Sequence, residues 1–291
     1  LYWNGANQHR NHCSRFKIVL NMQEQTALEV HNLTASYQRK PVLWEIDFKV
    51  PSGHLIGILG PNGSGKTTLL RSIMNLMEVD SGYVKIFGKD LDEVRSRLSY
   101  VPQRESVDWN FPASVREVVE MGRYRPSNLL RRLKSSDKQK VKAALEKVGM
   151  LAYADRQISE LSGGQQQRVF IARSLAQEAD IYLMDEPFVG VDAATEEAIL
   201  KLLSNLRDEG KTVLIVHHDL QSAYQYFDWM ILLNTRLVAV GPKEEVFNST
   251  RLQEAYGGKL NLLSKLGEII AREQFPVREP DFKEKQGTGD E

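Results

Sequence analysis

The chain has 291 residues, enough for one large domain or two modest ones. Its 38 basic residues equal its 38 acidic ones, which excludes a global field that would gather nucleic acid or anionic lipid. The single cysteine, Cys13, excludes an internal disulfide and fits a reducing compartment, and no apolar run reaches the roughly eighteen residues of a membrane span.

Residues 1–26 are expected to be an N-terminal extension, disordered or untranslated. The stretch is polar and without periodicity, and Met22 stands just before the first strand-like run as an alternative start. Ile18–Leu20 is too short for the centre of a signal peptide. His9, His12 and Cys13 are too few and too loosely framed for a structural zinc site.

Ala27–Val30, Leu43–Val50 and His54–Leu59 read as strands, with Pro51-Ser52-Gly53 as the turn before the third. That third strand is mostly apolar, as a strand covered on both faces should be. It runs into Gly60-Pro61-Asn62-Gly63-Ser64-Gly65-Lys66-Thr67-Thr68, after which Thr67–Leu76 reads as a helix. Strand, Gly-rich loop, helix is the context of a P-loop. The glycines let backbone N–H groups curl around phosphate oxygens, Lys66 brings charge, and the Thr67 hydroxyl suits magnesium.

From about residue 92 to 160 the character is helical. Ser114 and Glu117 form a capping box for Val115–Met121, and Ser136-Asp137 opens a helix that Gly149 ends. The basic residues between and within these helices (Arg123, Arg125, Arg131, Arg132, Lys134, Lys138, Lys140, Lys142) form either a solvated face or a contact with anionic headgroups. Leu161-Ser162-Gly163-Gly164-Gln165 then opens a helix to Ala176 and makes a second small anion cradle. A chain with a complete P-loop has use for a second cradle if it caps the nucleotide of another copy.

Ile181–Met184 is a strand that delivers Asp185 and Glu186 at its C-terminal end. The first carboxylate suits magnesium, and the second suits orienting and deprotonating a water. A helix over Thr195–Glu209, a strand at Thr212–Val216 and a strand pair at Trp229–Leu233 and Leu237–Val240 follow. Residues 249–271 read as amphipathic helical turns, and 272–291 as a disordered tail rich in charge.

With these motifs in this order, the chain resembles the ATP-binding-cassette (ABC) ATPases over 27–248. The resemblance implies an α/β P-loop fold: a mixed β core with a RecA-like subdomain, plus an inserted α-helical subdomain at about 92–160. It implies ATP and Mg2+ as ligands, with Thr67, Gln103 and Asp185 around the magnesium. Gln103, in Val101-Pro102-Gln103, is similar to the family's Q-loop glutamine. His218, just before Asp219, is similar to the switch histidine that contacts the γ-phosphate, which leaves His217 a structural part. Tyr37 is similar to the aromatic residue that stacks on adenine, a contact tolerant of base identity. Ser162, Gly163, Gly164 and Gln165 would meet the nucleotide of the opposite subunit, with Asp192 at the dimer seam. Val189-Gly190-Val191-Asp192 departs from the usual form there, so only Asp192 carries over.

Lys66 and Ser162 are too close in sequence for the DNA-repair relatives, which insert a long coiled coil, and one motif set argues against two-cassette translation factors. Val101–Pro112, Val118–Tyr124, Glu186–Asp192 and Ala255-Tyr256-Gly257-Gly258 look like importers of manganese, zinc or chelated iron. That likeness implies a homodimer on the cytoplasmic face of a bacterial inner membrane, a permease, an extracytoplasmic metal-binding protein and no nucleic acid. Trp109 and Phe111 would either receive a permease helix or pack inside the helical subdomain. A soluble ATPase of iron–sulfur assembly type and a transporter ATPase for another solute stay open.

Overall fold

In the computed structural model, which describes residues 25–38, 40–124 and 133–257, the apolar run before Gly60 lies inside a six-stranded sheet. β1 (Thr26–Tyr37) and β2 (Lys40–Pro51) pair antiparallel and lead into β3 (Leu55–Leu59). Next come α1 (Lys66–Ile73), β4 (Ser81–Ile86), which returns to pair with β1, α2 (Leu91–Val94) and β5 (Leu98–Val101). The helical stretch holds α3 (Val115–Glu120), α4 (Ser135–Lys147) and α5 (Gly163–Ala176). β6 (Ile181–Asp185), α6 (Ala193–Asp208), β7 (Thr212–Val216), α7 (Leu220–Tyr226), β8 (Trp229–Asn234) and β9 (Arg236–Pro242) complete the main sheet. α8 (Lys243–Val246) and α9 (Ser249–Tyr256) close the described chain.

The main sheet runs β5-β6-β7-β3-β8-β9, parallel except for β9, and β2-β1-β4 form a separate antiparallel sheet. Period-two alternation divides each central strand between two cores. Ile56, Ile58, Leu183, Leu214 and Val216 face α1 and the antiparallel sheet, while Leu55, Leu59, Met184, Val213 and Ile215 face the other helices. Gly57 lies against the Phe227 ring, where a Cβ would stand 2.3 Å from a ring carbon.

β4 and β5 have no counterpart in the sequence reading. β5 corrects the expectation of helical character from residue 92, because Leu98–Val101 pairs with Ile181–Met184 as the edge of the main sheet. It is four residues long and enters from a 3-10 turn, Arg95–Arg97, so no periodic pattern precedes it. β1 runs past Val30 through register shifts, with Asn32 at φ +46, and such bulges break the alternation that marks a strand.

The basic face is largely paired where it is described. Arg123 binds Asp137 and Glu178 at 2.9 and 3.2 Å, Lys140 binds Glu178, and Lys142 lies 3.8 Å from Glu146. Arg125, Arg131 and Arg132 fall outside the described residues, as do His9, His12, Cys13 and everything after Gly257.

Candidate nucleotide site

β3 delivers the chain to Gly60, where a Cβ would stand 2.0 Å from the carbonyl oxygen of Leu233 on β8. Only glycine permits that approach. Gly65 has φ +99 and lies against Val42 and Leu43 of β2, with a Cβ position 2.9 Å from Val42 O. The loop so formed opens onto a cavity of about 330 Å³ lined by Val42, Asn62–Thr68, Gln103 and Glu186.

Lys66 is buried, and its Nζ donates to the carbonyls of Gly60 and Pro61 at 2.9 Å each. Burial lowers its pKa, while the Glu186 and Asp185 carboxylates hold it up. Thr67 Oγ1 donates to Asp185 Oδ1 at 3.0 Å, which ties α1 to the end of β6. Asp185 is 0% exposed and its Oδ2 has no hydrogen-bond partner. Burial pushes its pKa up to about 6; the Thr67 bond opposes this and the Glu186 charge adds to it.

Glu186 stands beside the P-loop from the turn after β6, at φ +49, a conformation costly for a residue with a side chain. Gln103, two residues past the end of β5, donates from Nε2 to Glu186 Oε2 at 3.2 Å. Two residues 83 positions apart thus meet at one wall of the cavity.

The other sequence candidates stand outside that lining. Tyr37 is 45% exposed at the end of β1, and its hydroxyl donates to Met77 Sδ at 3.8 Å. His218 is exposed, whereas His217 is buried against Phe188 and Phe227. Ser162 caps α5: its Oγ accepts from Gln165 N, and Gln165 Oε1 accepts from Ser162 N at 2.9 Å. Gly164 packs under Gly190 and Val191, and Asp192 caps α6 by accepting from Thr195 N and Oγ1. None of these signature residues lines the P-loop cavity described above.

The profile of the ABC transporter family matches residues 43–189, from β2 to the turn after Glu186. The chain belongs to the ABC transporter family.

The ABC cassette is 58% identical over 236 residues to the manganese transport system ATP-binding protein MntB of Bacillus subtilis, covering 81% of this chain and 94% of that one. It is 52% identical to the zinc transport system ATP-binding protein TroB of Treponema pallidum, covering 81% and 88%. Among solved structures, one classed as a metal-chelate-type ABC transporter in an inward-facing conformation superposes with a TM-score of 0.68 at 29% identity, covering 79% of this chain and 88% of that one. The cassette is thus an ATPase with the ABC fold.

One residue outside the motif reading lies against the P-loop, and a second leads away from the site toward α5. The Tyr256 hydroxyl of α9 is buried against the Gly60 backbone; burial pushes its pKa up to about 12, and the Gly60 amide opposes this. Arg104 follows Gln103 and turns toward α5. Tyr256 carried a family likeness in Ala255–Gly258, but no pattern in sequence pointed it at Gly60.

Proposed function

We propose that the cassette is the ATP-hydrolysing subunit of a bacterial importer for divalent metal ions, manganese ahead of zinc and iron. The hydrolytic reading rests on the Gln103–Glu186 contact at the wall of the P-loop cavity. The backbone of Gly60–Thr68 cradles the ATP phosphates, and Lys66 neutralises charge on them. Glu186 orients and deprotonates the attacking water, Gln103 holds Glu186 in place, and His218 contacts the γ-phosphate. Tyr37 stacks on the adenine.

The residues fit magnesium. Asp185 keeps one oxygen buried and unpartnered beside the Thr67 hydroxyl, a hard-oxygen set for a hard cation. Thr67 and Asp185 would hold it, with Gln103 nearby. When bound, the ion neutralises charge on the phosphate oxygens as the γ-phosphoryl group leaves.

Two copies close face to face, each presenting Ser162, Gly163, Gly164 and Gln165 to the other's ATP, with Asp192 at the seam. Support comes from the N-terminus of α5, where Ser162 is exposed, Gly163 and Gly164 are half-buried and the helix dipole favours an anion. Closure drives a permease at the cytoplasmic face of the membrane, and an extracytoplasmic protein delivers the ion. Among the described residues no helix is long and apolar enough to cross a membrane, so another chain must form the path. Phe111, 54% exposed, is the apolar group left to meet that permease, since Trp109 packs edge-on to Phe170 at 4.9 Å.

The cargo assignment rests on the relatives named for manganese and zinc, which also favour a transporter over an iron–sulfur assembly ATPase. Vesicles carrying this chain and its permease should take up manganese in an ATP-dependent way, more than zinc or iron. Uptake of some other solute with none of these ions would overturn the assignment.

A further inference from the structure

Arg104 links the segment after β5 to the start of α5. Its side chain does not line the P-loop cavity but runs to the start of α5. Nη2 donates to Gln166 Oε1 at 3.0 Å, and Gln166, 4% exposed, donates onward from Nε2 to Ile158 O at 3.1 Å. The guanidinium lies against Gly163 so closely that a Cβ there would stand 3.1 Å from Cζ and from Nε. A larger residue at 163 would have to displace it.

Trp109 fixes the segment from the other side. Its Nε1 donates to the Arg104 carbonyl at 2.9 Å, its ring lies 5.7 Å from the guanidinium, and it packs on Phe170 of α5. Residues 103–109 are thereby clamped to α5 at two points. Arg104 Nε is buried without a hydrogen-bond partner, and no carboxylate pairs with this guanidinium among the described residues. A half-buried cation kept without a counter-ion is costly. Its rigid fork is what a lysine cannot reproduce on Gln166 and Gly163.

We propose that Arg104 is a positioning residue that couples the two ATP sites of the dimer. Gln103 registers the state of Glu186 at one nucleotide, and Arg104, bonded to the next peptide, passes any shift to Gly163 and Gln166. Those residues set the segment that meets the other nucleotide. The inference rests on the split-site reading above.

The test uses the full chain with Arg104→Gln, Arg104→Lys and Gln166→Leu, the last removing the acceptor while leaving Arg104 intact. Fluorescent ATP binding to the isolated chain should stay within about twofold of wild type, since none of these side chains lines the cavity. The Hill coefficient for hydrolysis, bounded at about two for two sites, should fall toward about one in all three. Lysine should not rescue it. A merely structural role would lower melting temperature and rate together and leave the curve sigmoidal. Retained sigmoidality in folded variants, or rescue by lysine, overturns the proposal; should the Arg104 variants not fold, Gln166→Leu alone decides. A Glu186→Gln chain that stays monomeric with ATP sinks the split site and this inference together. If it dimerises while the three variants stay sigmoidal, only the coupling role fails.

Discussion

Thr67 and Asp185, 118 residues apart, share a 3.0 Å hydrogen bond that uses one carboxylate oxygen and leaves the other buried without a partner. The ordinary Asp value is 3.8 and burial pushes this one up to about 6, so the folded chain holds this proton more tightly than the unfolded chain. The sign follows: the nucleotide-free chain loses stability as pH rises from about 4 through 6, and the loss persists above that.

Asp185→Asn keeps an acceptor for Thr67 and removes the buried charge. Melting in the absence of nucleotide should show the variant more stable at pH 7.5, by on the order of 2 kcal/mol, with the gain vanishing near pH 4. Magnesium-dependent ATP hydrolysis should fall about 10²-fold or more. A variant no more stable than wild type at pH 7.5 would show that the carboxylate is not penalised there.

Glu186→Gln preserves the shape of the turn and an oxygen that accepts from Gln103. ATP binding should remain, hydrolysis should drop about 10²- to 10⁴-fold, and gel filtration with ATP should show a stable dimer. Turnover near the wild-type rate would remove Glu186 as the base.

The P-loop, Asp185 and Glu186 were legible because each is a short run whose chemistry is local: glycines at a strand end, carboxylates after four apolar residues. Gln103 and His218 needed the family pattern, since nothing around either marks it as polar for a purpose. Arg104 and Tyr256 were illegible for a physical reason. One acts on Gly163 and Gln166 and the other lies against Gly60, and only tertiary packing brings those pairs together. Trp109 and Phe111 looked alike in sequence; the structure separates them because Phe170 covers only the first.

His217 gives the opposite pH sign from Asp185. Its Nε2 is 2.6 Å from Ser222 Oγ, and that hydroxyl spends its proton on Asp219 Oδ2 at 2.7 Å. Ser222 must therefore accept, which fixes the neutral Nε2–H tautomer. Burial, then the His218 charge, pushes the His217 pKa down to about 4 from 6.5, with Asp219 opposing. Stability is full above 6.5 and is lost as pH falls toward 4. His217→Gln can still donate to Ser222 and should flatten this part of the melting profile, a difference on the order of 2–3 kcal/mol at pH 4. An unchanged acid limb would mean that the ring titrates freely.

Ser162→Arg asks whether the signature serves its own chain or another. Ser162 is exposed and caps α5 rather than lining the P-loop cavity, so its loss costs a cap of about 1 kcal/mol and leaves the phosphate cradle intact. If the segment meets a second copy's ATP, the arginine blocks closure without touching the first site. ATP affinity of the isolated chain should then match wild type, hydrolysis should fall about 10²-fold, and adding the change to Glu186→Gln should abolish the ATP-dependent dimer. A fall in the monomer's ATP affinity instead would place Ser162 at its own nucleotide. That result would reject the trans arrangement, because in the monomer no second copy supplies a nucleotide for the arginine to disturb.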